Sequence, residues 1–150
     1  MRVIKTGLLI SFLSVSLGLF SQDDLGKQVY STVCIACHQP TGAGLPPVFP
    51  TLINTEYVNG SAERMAAIVL KGVMGPITVN GAAYNNIMPP QEAMLTDEKI
   101  AAVLTYVRGS FGNKAALVKA EVVSEARKKF ASKTTMWSEA ELKAWPEEKK

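Results

Sequence analysis

The chain has 150 residues, enough for one domain with extensions and short for two. With 47% hydrophobic and 19% charged residues it fits neither a disordered chain nor a multi-span membrane protein. The formal charge of +3 falls to +1 once Arg2 and Lys5 of a leader-like segment are set aside, so no basic footprint for nucleic acid remains.

Residues 1–21 have the three-part layout of a secretory signal peptide. Arg2 and Lys5 precede an apolar run from Gly7 to Phe20, and small residues at Gly18 and Ser21 lead into Gln22-Asp23-Asp24. The run is about fourteen residues, short of the roughly 20 that cross a bilayer. Cleavage is expected near Ser21, the alternative being an uncleaved anchor, and export points to the periplasm. No cysteine follows the run, against a lipoprotein.

Beyond the leader, Asp23 to Ser31 reads as a helix. Two acids favour its N-terminal end, and Leu25, Val29 and Val33 recur on one face. A loop rich in Gly and Pro, Pro40 to Pro50, is too broken for regular structure. A second helix is expected over Ala62–Lys71, capped by Ser61, stopped by Gly72, with Met65, Ile68 and Val69 as its apolar face. Asn80-Gly81 between Ile77–Val79 and Ala82–Tyr84 suggests a small hairpin. The clearest helix follows, N-capped by Thr96, with Ile100, Val103, Leu104, Val107 and Phe111 on one face and Gly112 as its stop. A further helix is expected from about Ala115 to Phe130, then a short amphipathic segment from Ser138 to Ala144. Long glycine-rich loops among helices are unfavourable unless something large fills the space they enclose.

The two cysteines of the chain, Cys34 and Cys37, directly precede its single histidine, His38. A disulfide across so short a loop would constrain little of the unfolded chain. A thioredoxin-like pair expects a preceding strand in a βαβ pattern, and a zinc site expects about four ligands. Neither fits. Cys34-Ile35-Ala36-Cys37-His38 has instead the spacing of covalent haem attachment: two thiols add to the vinyl groups of one porphyrin, and the adjacent imidazole reaches the iron. One haem c is therefore the expected cofactor, bound through Cys34 and Cys37 with His38 as an iron ligand. With no second histidine, the other axial position falls to methionine, lysine, a weaker group or none. Met65 lies on a helix face where core packing is the better reading. Met74 and Met94 sit in loops, and Met88 stands in Asn85-Asn-Ile-Met-Pro-Pro90, where the following proline biases it away from helix. Loop context favours Met88 over Met74.

These pieces, in order, resemble the class I (mitochondrial-type) cytochromes c, particularly bacterial single-haem domains. The resemblance runs from about Asp24 to Gly112. It rests on Gly26-Lys-Gln-Val-Tyr30 before Cys-x-x-Cys-His, Gly42-Ala-Gly44-Leu-Pro-Pro47, Phe49-Pro-Thr-Leu52, Met88-Pro-Pro90, and Leu95-Thr-Asp-Glu98 leading into Val103-Leu-Thr-Tyr-Val-Arg108. It implies an all-α cytochrome c fold, about three core helices around one haem plus a C-terminal helical extension. It also implies a crossing of first and last core helices at Gly26 and Tyr106, Met88 as distal ligand, the Pro50 carbonyl as hydrogen-bond partner of His38 Nδ1, and Leu52 packed on the haem. The expected layout is a signal peptide over 1–21, a haem domain over 22–113, and an extension over 114–150 that packs on the outside of the domain or docks a partner.

The function expected is single-electron transfer by Fe(II)/Fe(III) cycling with His/Met ligation, by a periplasmic monomer that is not itself an enzyme. Partners would be redox proteins: a dehydrogenase, a quinol-oxidising complex, or a terminal oxidase or reductase. They would meet the haem edge near Gly42–Pro47 and Met88–Pro90. The alternatives are a dedicated haem subunit of a periplasmic dehydrogenase or reductase complex, and a haem enzyme or gas sensor with a displaceable distal ligand.

Overall fold

The computed structural model describes residues 22–146, so the expected signal peptide and the last four residues lie outside it. The chain begins with α1 (Gln22–Val29), which continues without a break through a π-helical turn, Tyr30–Cys34, into α2 (Ile35–His38). In the π turn the amide of Ile35 donates to the carbonyl of Tyr30, one residue further back than in an α-helix. Within this turn, the Ser31 hydroxyl donates to the Lys27 carbonyl, and the Thr32 hydroxyl donates to those of Gln28 and Val29. Side-chain donors of this kind accompany local departures from the α-helical ladder.

Two longer helices follow. Helix α3 (Ala62–Lys71) is capped as expected, with the Ser61 hydroxyl accepting from the Arg64 amide and Gly72 ending it at φ 72°. Its buried face is Met65, Ala66, Ala67 and Leu70, rotated from the expected stripe toward the small residues. Helix α4 (Asp97–Gly109) is capped by Thr96 and buries Ile100, Ala101, Ala102, Val103, Leu104 and Val107. Between them β1 (Pro76–Val79) and β2 (Ala82–Asn85) pair antiparallel about Asn80-Gly81.

Helices α1 and α4 cross at Gly26. A Cβ there would overlap the Ala102 carbonyl and come within 2.8 Å of the Tyr106 Cβ, so only glycine lets the two backbones meet. The ring of Tyr106 continues the contact, with Tyr30 and Phe111 at centroid distances of 5.5 and 5.8 Å. The main core gathers around this crossing. Full burial of a side chain such as Leu70 or Ile100 stabilises by roughly 2 kcal/mol.

The C-terminal segment belongs to the same packing. Residues 114–119 run extended along α4, where the Thr105 hydroxyl accepts from the Val118 amide and donates to the Val118 carbonyl. Helix α5 (Ala120–Lys129) therefore starts five residues later than expected, and it buries Val123 and Ala126 against α3 and α4. Helix α6 (Glu139–Lys143) has a full capping box between Ser138 and Glu141. Trp137, Leu142 and Trp145 pack with Phe130, Tyr57, Val73, Val79 and Tyr84 in a second cluster. Among the described residues no helix is long and apolar enough to cross a membrane.

Candidate haem-binding site

The loop after α2 folds back under the histidine. Gly42 and Gly44 adopt φ of 70° and 66°, and the Gly44 amide donates to the His38 carbonyl. The amide of Leu52 and the hydroxyl of Thr51 both donate to the Gly42 carbonyl. A side chain at Gly44 would strike the carbonyls of Phe49 and Pro50, so the loop is drawn tight at that point. The result is a Pro50 carbonyl 3.1 Å from His38 Nδ1. A carbonyl can only accept, so Nδ1 carries the proton and Nε2 keeps its lone pair. Burial holds the imidazole below its ordinary pKa, while the bond to Pro50 opposes that shift. The ring is neutral at neutral pH, the form that ligates a metal.

Farther along the chain, the segment carrying Met88 runs back along the end of α3. Val73 and Met88 exchange amide-to-carbonyl bonds of 3.0 and 2.9 Å. Next to them the Gln91 amide donates to the Val69 carbonyl, and Lys71 pairs with Glu92 at 2.7 Å. Gly72 makes this approach possible, because a Cβ there would overlap the Met88 carbonyl and crowd the Pro90 nitrogen.

The two segments border a cavity of about 220 Å³. Well-packed interiors hold few voids larger than a water molecule. Its walls include Cys34, Cys37, His38, Pro50, Leu52 and Met88, all six residues singled out from the sequence. Among the described residues Met65 is the other methionine on the wall; Met74 and Met94 are not part of it and are 54% and 70% exposed. Met65 Sδ accepts a hydrogen bond from the Arg108 guanidinium at 3.6 Å. Among the described residues no Asp, Glu, Lys or Arg lines the cavity. Burial, and then the neighbouring Cys37, push the Cys34 thiol up to about 11, so it is a neutral thiol wherever no thioether has formed.

The aromatic and aliphatic remainder of the wall is less visible in the sequence. Tyr30, Phe49, Tyr57, Tyr84, Val103 and Leu104 all contribute. Of these only Val103 and Leu104 announce an inward face, through their helical spacing. Asn113 is a structural residue that no sequence motif marks. Its side chain donates to the carbonyls of Leu52 and Val107 and accepts from the Asn54 amide, fastening the loop after Pro50 to the end of α4.

A large apolar cavity with a neutral imidazole, two adjacent thiols and a thioether on its wall fits a covalently held haem. Comparison with known proteins agrees. The family model described as Cytochrome c matches residues 24–110. This chain belongs to the cytochrome c family. It is a class I c-type cytochrome domain, and its cofactor is covalently bound haem c.

Among curated relatives, this cytochrome is 36% identical over 109 residues to a cytochrome c-552 of Thermus thermophilus, an alignment covering 70% of this chain and 72% of the relative. It is also similar to the fructose dehydrogenase cytochrome subunit of Gluconobacter japonicus, 34% identical over 106 residues, which are 68% of this chain and 22% of that one. The cytochrome c subunit of the quinone alcohol dehydrogenase of Gluconobacter oxydans is 29% identical over 126 residues, with 83% of this chain and 26% of the relative covered. The cytochrome thus corresponds to most of one small relative and to about a quarter of each larger subunit. Electron transfer is the function common to these relatives.

Proposed function

We propose that this cytochrome is an exported, periplasmic carrier of single electrons, with His38 as proximal and Met88 as distal ligand of its haem iron. The observation that carries this reading is the shared cavity of Cys34, Cys37, His38 and Met88. Met88 is favoured because the sulfur of Met65 is engaged by Arg108 and the side chains of Met74 and Met94 turn to solvent. When bound, the haem would supply a reversible one-electron couple, and ligation by the His38 imidazole and the Met88 thioether would raise its potential. His38 is oriented by Pro50, which fixes its tautomer as metal-bound imidazoles are commonly fixed. With His38 and Met88 both holding the iron, oxygen and peroxide would find no position there unless Met88 left it, which favours a carrier over a catalyst.

A redox partner meets the cavity mouth, where the chain is uncharged. Residues 28–55 and 72–91 contain no Asp, Glu, Lys or Arg. Leu45, Val48 and Ile87 stand 52%, 41% and 53% exposed, and Val48 and Ile87 also line the cavity. This rim suits a small, transient and apolar contact.

A second reading, a dedicated subunit of a dehydrogenase, is favoured by the names of the larger relatives. The test of ligation is Met88→Ala. The ferric holoprotein should lose the long-wavelength absorption band of thioether-ligated haem, and retention of the band would overturn the distal assignment. Mild purification from the native host tests the carrier reading: the chain should elute as a monomer, whereas a stoichiometric dehydrogenase partner would replace the free carrier with the subunit.

A further inference from the structure

The residues after 110 lie beyond the match to the family model, yet one of them reaches the backbone that holds Met88. Gly72-Val73 forms the middle of a three-membered ladder. On one edge Val73 pairs antiparallel with Met88, and on the other it pairs parallel with Trp137. The Trp137 amide donates to the Gly72 carbonyl at 2.9 Å, and the Trp137 carbonyl accepts from the Met74 amide at 3.0 Å. The indole nitrogen donates to the Ala67 carbonyl at 2.9 Å inside α3. Phe130 and Trp145 meet the indole ring at centroid distances of 5.0 and 5.4 Å, and the Lys133 ammonium lies 4.4 Å from its centre. Just beyond, Glu139 accepts from the Thr78 amide at 2.6 Å, tying the start of α6 to β1.

A two-strand bridge at the end of a loop opens easily when one of its edges faces water. Here Trp137 covers the outer edge of Val73. Trp137 holds the Gly72 carbonyl and the Met74 amide on either side of Val73, so the strand that bonds Met88 is fixed between two neighbours, and the indole anchors the outer one to α3.

We propose that Trp137 is a positioning residue for Met88: the C-terminal segment clamps the Gly72–Met74 strand and so sets how readily Met88 leaves the haem iron. This rests on the reading of Met88 as distal ligand. Exogenous imidazole binds ferric haem only after the protein ligand has left, so its apparent affinity reports the fraction of molecules in which Met88 is detached.

The experiment titrates imidazole into the ferric holoprotein of wild type, Trp137→Ala and Trp137→Phe, with far-ultraviolet circular dichroism recorded alongside. Trp137→Ala should bind imidazole at least tenfold more tightly while its helix content is unchanged. Trp137→Phe, which keeps a ring but loses the indole donor, should fall between the two. If Trp137→Ala is less stable overall but binds imidazole within twofold of wild type, the clamp is wrong and the tryptophan only fills space.

Hydrogen exchange on the wild-type holoprotein gives an answer even if the variants fold poorly. The amides of Val73, Met88, Met74 and Trp137 should exchange as one unit, with protection equal within a factor of a few. A Trp137 amide exchanging a hundredfold faster than that of Met88 would overturn the proposal. Failure of the ligation reading shows separately, as survival of the thioether band in Met88→Ala.

Discussion

Gly26 lies against the carbonyl of Ala102 so closely that the two backbones leave no space for a methyl group between them. This contact sets the crossing of α1 and α4, and α1 leads straight to the haem-attachment motif. Gly26→Ala should therefore destabilise the holoprotein by about 2–3 kcal/mol, the cost of forcing atoms into a packed contact. The denaturant midpoint followed by circular dichroism checks this, and a midpoint equal to wild type would refute the tight crossing.

Arg108 is almost fully buried, and its guanidinium donates to the carbonyls of Val58, Gly60 and Ala116 at 2.7–2.9 Å. Replacing it by Met leaves those carbonyls short of a donor and should cost about 3 kcal/mol or more. Arg108→Lys should recover only part of the loss, because an ammonium cannot reproduce the planar fork. Urea titrations of the three proteins, compared at equal slope, decide the matter.

Lys133 first, then the backbone and hydroxyl of Ser138, hold the Glu141 carboxyl at about 2, below its ordinary value. The folded state thus prefers the ionised form. The resulting stability is fully present above about pH 4.5 and is lost as the pH falls toward about 2. Glu141 is partly exposed, so the gain is that of a surface cap and ion pair, about 1 kcal/mol or less. Wild type should melt a few degrees above Glu141→Gln at neutral pH, and the two melting curves should merge near pH 2. A difference that persists there would show another cause.

A rim with few charged side chains predicts electron exchange that depends only weakly on salt. Rates with ferricyanide and with tris(phenanthroline)cobalt should each change less than about threefold between low and physiological ionic strength. Ile87→Lys should create a salt dependence of opposite sign for the two reagents. A steep dependence in the wild type would place fixed charge at the mouth.

Much of the site is legible in the sequence because its chemistry demands particular residues at particular spacing. Cys34, Cys37 and His38 are readable as a string, and Ser61, Thr96 and Gly72 mark helix ends through their hydrogen-bonding needs. Asn80-Gly81 announces its turn in the same way. What stays hidden depends on long-range partners. Residues 114–119 have helix-forming composition but run extended, because Thr105 binds both the amide and the carbonyl of Val118. Trp137 reads as a lone aromatic in a polar break until the fold sets it beside Val73. Arg108 stands in the last turn of α4, where a cation usually meets water, yet it lies inside.

The π turn at Tyr30–Cys34 has a consequence for how this molecule tolerates change in length. An α-helix rotates about 100° per residue, so the angular offset between the crossing point at Gly26 and the imidazole at His38 depends on the number of residues between them and on the wider turn. Deleting Thr32 would let the turn close as a regular α-helix with nearly the same offset, because the wider turn takes up that one extra residue, whereas a deletion within Lys27–Val29 would swing both cysteines and the histidine off the cavity wall. The helix from Gly26 to His38 is thus phase-locked in its α-helical part, where a one-residue indel displaces the attachment motif, and tolerant of length only at the π turn.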